Sequence, residues 1–309
     1  MAEAKEAITE QAGATEEAGA EASDLIGDIC EGLVDTLETV AQGGGDTLTG
    51  LGTGFEELDY LTRGLEPGSL TVVASRPAVG RTTFLSDICR HNAIKNGIPT
   101  LVFTLEENRQ SFTRRVVAAE SRIAIHHMRA GTMTEEDWAR LVRRLPTVVA
   151  APLSIRDIPR ADMRRIQLET AEMVEKRDVR LVAIDGIQDV RPEKRSDLRE
   201  REVGDVVRDL KTMARELNIP VVATSHLNRS PEQRADKRPR LDDLRESGAI
   251  TFASDTLILL HRDDAYERDT PRVGEADLFV AKHRHGPAAN IVVAYQGHYG
   301  RFVDMAQYP

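Results

Sequence analysis

The chain has 309 residues, 40% of them hydrophobic, and a formal net charge of −10. That length suits one large α/β domain or two smaller ones. No apolar run reaches the ~18 residues of a membrane span, and no basic start with an apolar core marks a secretory signal, so a cytoplasmic protein with no membrane partner is expected. The acidity is local: residues 1–47 hold twelve acids and one base. The remaining body is nearly neutral, which leaves room for nucleic acid bound through local basic clusters.

Residues 1–22 are rich in Ala, Glu and Gly with almost no large apolar side chain, a composition that predicts a disordered acidic leader. At residues 23–47 the pattern changes. Ile26, Ile29, Leu33, Leu37 and Val40 step by three or four, so one apolar stripe runs along a helix over 24–41, and Gly43-Gly44-Gly45 ends it. Such a helix packs either on its own domain or on a neighbouring subunit. Residues 48–309 then alternate between strand and helix signals. Strands are expected at Ser69–Ser75, Thr100–Leu105, Leu153–Arg156, Arg180–Asp185, Ile219–Ser225, Thr256–Leu260, Asp277–Lys282 and Ile291–Tyr295. Helices are expected at Thr82–Asn96, after Glu107, at Glu135–Arg144, at Arg160–Lys176 and through Val203–Leu217. This alternation predicts a mostly parallel sheet with helices on both faces and a ligand at the carboxyl ends of its strands. Cys30 and Cys89 lack metal-ligand spacing and read as reduced helix residues.

Residues 72–84 carry the chemistry. A buried strand runs into Ser75-Arg76-Pro77-Ala78-Val79-Gly80-Arg81-Thr82-Thr83 and then a helix start, the layout of a phosphate-binding P-loop. The first glycine of G-x-x-x-x-G-K-[ST] is Ser75 here and the lysine is Arg81. Gly80 admits a close backbone approach, and Thr82 offers a hydroxyl to Mg²⁺; an ordinary strand–turn–helix is the plain alternative. Leu181-Val182-Ala183-Ile184-Asp185 is an apolar strand ending in an acid that suits a Mg²⁺ shell. Glu106 ends another strand, where a carboxylate can orient or deprotonate water. His226 ends the strand after Asp185 and is either a γ-phosphate sensor or a satisfied structural histidine. Lys282 and Arg284 share a strand face and are either phosphate-reaching cations, in this subunit or the next, or a solvated edge. The polar stretch Asn228–Gly248 holds Arg229, Arg234, Lys237, Arg238, Arg240 and Arg245 but no aromatics, which favours contact with a nucleic-acid backbone over base stacking.

From Leu51 to Met305 these residues resemble the C-terminal, RecA-like motor domain of the DnaB family of replicative helicases. The resemblance rests on Thr53-Gly54-Phe55, Leu58-Asp59 and Thr62-Arg63-Gly64-Leu65 at the entry, on Arg76–Phe84, on Asn228–Pro239, and on Asp243-Leu244-Arg245-Glu246-Ser247-Gly248. It implies an ATP- and Mg²⁺-dependent helicase working on single-stranded DNA as a homo-hexamer, with a replication or loader protein as a further partner. Glu106 would be the catalytic glutamate and Asp185 the Walker B acid. Arg245, Glu246 and Gly248 would hold DNA, and Lys282 with Arg284 would reach the neighbour's nucleotide. The helix at 24–41 matches the family's linker helix, which docks on the next protomer. Arg81 in place of lysine and His226 in place of glutamine depart from the pattern. Gly186 stands where the family has a larger residue, and the acidic leader stands where it has a primase-engaging helical domain. A paralogue is therefore expected, with a non-hydrolysing nucleotide- or DNA-binding scaffold as the alternative to an active motor.

Overall fold

The computed structural model describes residues 47–159, 161–192, 196–244 and 247–306, together with Val34 and Glu38, which are both helical. The expected leader and the rest of the helix at 24–41 lie outside the described residues. The chain divides into two compact units, Met1–Thr49 and Gly50–Pro309. The second unit holds all the described strands and the crevice at their ends.

Nine strands form one sheet in the order β3-β2-β4-β5-β1-β6-β7-β8-β9. They are β1 (Leu70–Ser75), β2 (Thr100–Thr104), β3 (Leu153–Asp157), β4 (Leu181–Asp185), β5 (Val221–His226), β6 (Thr256–His261), β7 (Glu275–His283), β8 (Ala289–Gln296) and β9 (Arg301–Asp304). The pairs among β1 to β6 are parallel, and β7 to β9 continue antiparallel. Every residue of β1 and β4 is buried, as a strand covered on both faces requires. The side chains alternate between two cores. Leu70, Val72, Ala74, Val182 and Ile184 join one; Val73, Leu181 and Ala183 join the other. The described helices are α1 (Glu56–Thr62), α2 (Arg81–Arg90), α3 (Arg109–Ser121), α4 (Ile125–Ala130), α5 (Glu135–Ala150), α6 (Met163–Arg177), α7 (Arg199–Glu216), α8 (Ser230–Gln233) and α9 (Ser247–Ala253). The first core takes Met163 and Ile166 of α6, Val203 to Leu210 of α7 and Ile250 of α9. The second takes Leu58 of α1, Phe84 and Ile88 of α2, and Phe112 of α3. The sheet is thus covered on both faces, in a RecA-like arrangement.

Three expected boundaries move. α2 stops at Arg90 and a π-turn, His91–Lys95, follows; buried Asn92 donates there to the carbonyls of Gly52 and Ile88. α5 runs on through Pro146 to Ala150, because a proline disturbs the turn before it without forbidding continuation. The stretch 228–248 is more ordered than a loop. It contains α8, a 3₁₀ turn at Leu241–Asp243 and the start of α9, and Arg234 is committed to an ion pair with buried Asp243. Cys89 is a free, buried helix residue whose thiol burial pushes up; Cys30 lies outside the described residues.

Asp87, in α2, gives a measurable signature. It accepts from Arg90 and from the Phe302 backbone N–H at 2.6 Å, yet burial pushes its carboxyl up to about 7 from 3.8 against the pull of Arg90 and Arg301. A carboxyl whose folded pKa exceeds its unfolded value favours the fold only while protonated. Its charged form therefore costs stability progressively as pH rises from about 4 through about 7, by at most about 4 kcal/mol. Urea unfolding of Asp87→Asn between pH 5 and 8 should show a flatter stability profile than the parent. An unchanged slope would refute this assignment.

Candidate functional site

Four parallel strands end together. The register sets Ser75 of β1 beside His226 of β5 and Thr104 of β2 beside Asp185 of β4. Glu106 follows β2 by two residues, and the loop after β1 leads into α2. The topology thus brings Glu106, Asp185, His226 and the loop 75–83 to one crevice at the carboxyl ends of the strands, the expected ligand position for such a sheet.

In the loop, Ala78 and Gly80 have φ of +66° and +119°. Gly80 is required there, since a Cβ would stand 2.9 Å from the Phe302 ring. Gly80 also begins α2 without a side-chain cap, so the first amides of the helix remain open to an anion. Pro77 and Ala78 are exposed at the crown, whereas Val79 is buried in the second core. Ser75 is buried and bonds its hydroxyl to the Arg76 carbonyl. Arg76 points away, donating to the Leu227 carbonyl and pairing with Glu232, and the Thr83 hydroxyl accepts from Arg115. Of these nine residues, Arg76 and Val79 can therefore serve a phosphate only through their backbones, while the Thr83 hydroxyl keeps its proton to donate.

Arg81 is 6% exposed and turned across the crevice. Its Nη2 donates to both Glu106 oxygens at 2.6 Å and lies 3.0 Å from His226 Nε2, while its Nε is buried without a partner. His226 Nε2 also stands 3.1 Å from Glu106 Oε1; one ring nitrogen can accept from Arg81 or donate to Glu106, according to its tautomer. Burial would raise the Glu106 carboxyl, but donation from His226 and Arg81 outweighs it and holds the group at about 2.

Asp185 is fully buried. Thr82 and Thr224 donate to its Oδ1 at 3.1 and 2.9 Å, and its Oδ2 has no partner. Burial, with the charge of Glu106, pushes its carboxyl up to about 6. An unsatisfied buried carboxylate oxygen beside a hydroxyl, at an open helix N-terminus, is a hard oxygen site that fits Mg²⁺ carrying phosphate and water. Glu106, Asp189 and His226 bring three further ligand atoms within 4.8 Å of one another. The guanidinium already serves Glu106 and His226, so it fills the role of a cation there.

Three contributors escape a reading of the sequence. Arg262 donates to the Val79 carbonyl at 3.1 Å and lies 3.6 Å over the Tyr295 ring, pinning the loop. Gln188 ties β4 to β5 through Ser225 and the His226 amide. Asp189 reaches over Gly186, whose φ of +103° is strained for any residue with a Cβ, and this accounts for the glycine at 186.

Lys282 and Arg284 are elsewhere. β7 is antiparallel to β6, with Lys282 opposite Leu257, so both lie at the amino end of the parallel strands and cannot reach the crevice of their own subunit. Lys282 donates to the carbonyls of Thr251, Phe252 and Ser254 at the end of α9, and Arg284 pairs with Asp255. Arg229 is exposed before α8, and Gly248 sits in the first turn of α9. Arg245 and Glu246 lie outside the described residues.

The DnaB-like helicase C-terminal domain family matches residues 50–304. The chain belongs to that family. It is 45% identical over 273 residues to the replicative DNA helicase DnaB of Leifsonia xyli subsp. xyli, covering 88% of this chain and 60% of that protein. It is 35% identical to the replicative DNA helicase DnaC of Bacillus subtilis, covering 91% of this chain and 62% of that protein. The chain thus spans about 60% of the length of these relatives. Among solved structures, one isolated ATPase domain superimposes with a TM-score of 0.86 at 31% identity, over 93% of this chain and all of that one. A DnaB-like replicative helicase, solved in a study of its interactions with primase, superimposes with a TM-score of 0.84 at 32% identity, over 89% of this chain and 68% of that one. The RecA-like fold expected for the DnaB family is the fold observed. No described helix is long and apolar enough to cross a membrane.

Proposed function

We propose that this chain is a nucleotide-driven motor of the DnaB type that translocates on single-stranded DNA in a ring of six cytoplasmic copies. The observation that carries the reading is the unpartnered Asp185 Oδ2 beside Thr82, at the uncapped start of α2 and across from Glu106. Thr82 and Asp185 would hold Mg²⁺, and the amides from Gly80 to Thr83 would hold the phosphates of ATP. Bound Mg-ATP would supply a phosphoanhydride bond whose cleavage releases phosphate. The chain's own part is positional. Glu106 orients and accepts a proton from water once Arg81 leaves it. Arg81, drawn to the more highly charged triphosphate, offers a planar fork suited to phosphate oxygens. His226 stands next to both and takes up whichever bond is released.

Ring contacts follow from two features. Trp138, Val142, Leu145 and Val149 are exposed along one side of α5, a stripe that fits an amphipathic helix from a neighbouring copy, the part the spacing at 24–41 offers. Arg284, at the far end of the sheet from its own crevice, would reach another subunit's nucleotide on leaving Asp255. Lys282 would couple that contact to DNA, because it holds the end of the helix whose first turn carries Gly248.

A second reading has its own observation. The Arg81–Glu106 pair weakens the carboxylate placed to act as a base, so the domain would bind nucleotide or DNA without turnover. Magnesium-dependent ATP binding by calorimetry, and phosphate release with and without single-stranded DNA, separate the two: binding with DNA-stimulated release supports the motor, binding without release supports the scaffold, and no binding refutes the motor. For DNA, Arg245→Ala should weaken binding and reduce the slope of log affinity against log salt by about one. An unaltered slope would remove Arg245 from the interface.

A further inference from the structure

We propose that the basic cavity at the carboxyl end of α2 is a second anion site, separate from the P-loop crevice, and that it takes a small molecule bearing two or three linked phosphates. The cavity has a volume of about 640 Å³, within the ~300–1,000 Å³ of small-ligand sites. It lies between α2, the π-turn, the end of α3, α5 and β9, and seven Lys or Arg side chains line it against three acidic ones.

Much of that positive charge is not neutralised within the fold. Buried Arg90 is balanced by Asp87 and Glu120, and the second oxygen of Glu120 takes Arg144. Arg140 is held by Asp137 and Glu136. Among the described residues this leaves Lys95, Arg122 and Arg143, which are exposed around the cavity and have no acidic partner, and Arg301, which is half-buried and donates to the amide oxygen of Gln296. Burial and the nearby charges of Arg122 and Arg90 work against the Arg301 cation. A cavity that gathers like charge this way is stabilised by an anion, and guanidinium forks suit the paired oxygens of linked phosphates. Of the aromatic rings at its wall, Phe55 and Phe302 are 2% and 3% exposed and packed into the core, so they offer no face for a base to stack upon, and the His91 imidazole is half-buried. Recognition would therefore fall on the phosphates, whether inorganic or part of a nucleotide.

The site is physically linked to the crevice. From Gly80 to Arg90, α2 spans about 15 Å at ~1.5 Å per residue. Phe302 touches both ends: its amide donates to Asp87 at the cavity, and its ring closes against Gly80 in the phosphate loop. An anion held by Arg301 would bear on that contact, so occupancy of either site should alter affinity at the other by the same factor.

Calorimetric titration of the full chain with inorganic tripolyphosphate, and separately with ADP, tests the proposal. Two binding events are expected with tripolyphosphate. Arg122→Glu with Arg143→Glu, both at exposed positions, should weaken one event roughly tenfold or more and leave the other in place. Thr82→Ala should weaken the other and leave the event sensitive to Arg122 and Arg143 in place. ADP at least as tight as tripolyphosphate in the event sensitive to Arg122 and Arg143 would assign the site to nucleotides; weaker ADP would assign it to inorganic polyphosphate. A single event indifferent to the double charge reversal would overturn the proposal. So would displacement of that event by an oligonucleotide, which would make the cavity part of a DNA surface. Failure of ATP binding at the P-loop would leave the cavity event intact, so the two readings fail separately.

Discussion

Arg81→Lys should raise ATP turnover about tenfold to a hundredfold, opposite in sign to most substitutions in a nucleotide site. The expectation comes from what Arg81 touches. Its guanidinium donates to both oxygens of Glu106 at 2.6 Å, and with His226 it holds that carboxyl at about 2 despite burial. A base held so far below the ordinary carboxylate range is a poor proton acceptor, and the ion pair must open before water can approach it. Lysine keeps a positive charge but has no fork, and its compact ammonium on a flexible stem suits a single phosphate contact. Glu106 would regain most of its ordinary basicity, a fraction of the ~10²–10⁴ that a positioned base contributes. Phosphate release at saturating Mg-ATP is the measurement. A rate that stays flat or falls in Arg81→Lys would mean that the guanidinium contributes more to holding phosphate than it costs at Glu106. His226→Gln should move the rate the same way by less, since it removes one neighbour of Glu106 and leaves the ion pair.

How much of this was legible depends on how each feature is encoded. β1 and β4 are continuous apolar runs, each meeting a helix start or an acid, so the loop at 75–83, Asp185 and the parallel sheet stand out from the sequence. Glu106 and His226 are found by the same rule, because each sits at a strand end and ligands gather there. Short elements carry too few residues for a period to emerge. α1 has seven residues and β9 four, yet β9 supplies Phe302, the ring that fixes Gly80. Side-chain direction is the larger gap. Arg76 and Thr83 belong to the loop motif, but one turns to Glu232 and the other to Arg115. The ion pair that dominates the crevice joins residues 25 apart, with a third member 145 away, so only the folded sheet reveals it. The spacing of Lys282 and Arg284 puts them on one strand face. Which end of the sheet they occupy depends on β7 running antiparallel, which no local pattern encodes.

Asp185→Asn should separate binding from folding in a way a purely structural residue could not. In the folded chain Asp185 is a buried carboxylate with one oxygen served by two hydroxyls and the other by nothing. Burial and Glu106 push it up to about 6 from 3.8, so in the absence of a cation its charge opposes folding at neutral pH. The sign is that of any raised acid: stability is highest where the group is protonated and falls as pH climbs from about 4 through about 6, by at most about 3 kcal/mol. Asparagine keeps the shape, removes the charge and should therefore raise the melting temperature of the ligand-free chain at pH 7.5. The same change removes the anionic ligand for Mg²⁺. Magnesium-dependent ATP affinity should fall sharply, with turnover down at least about a hundredfold, as expected when a group stabilising transition-state charge is lost. Thermal unfolding with and without Mg-ATP reads both effects in one experiment: the parent gains stability on ligand addition, and the variant starts higher but gains little. A variant that melts earlier and still gains as much from Mg-ATP would make Asp185 a structural acid and return the crevice to an ordinary strand–turn–helix.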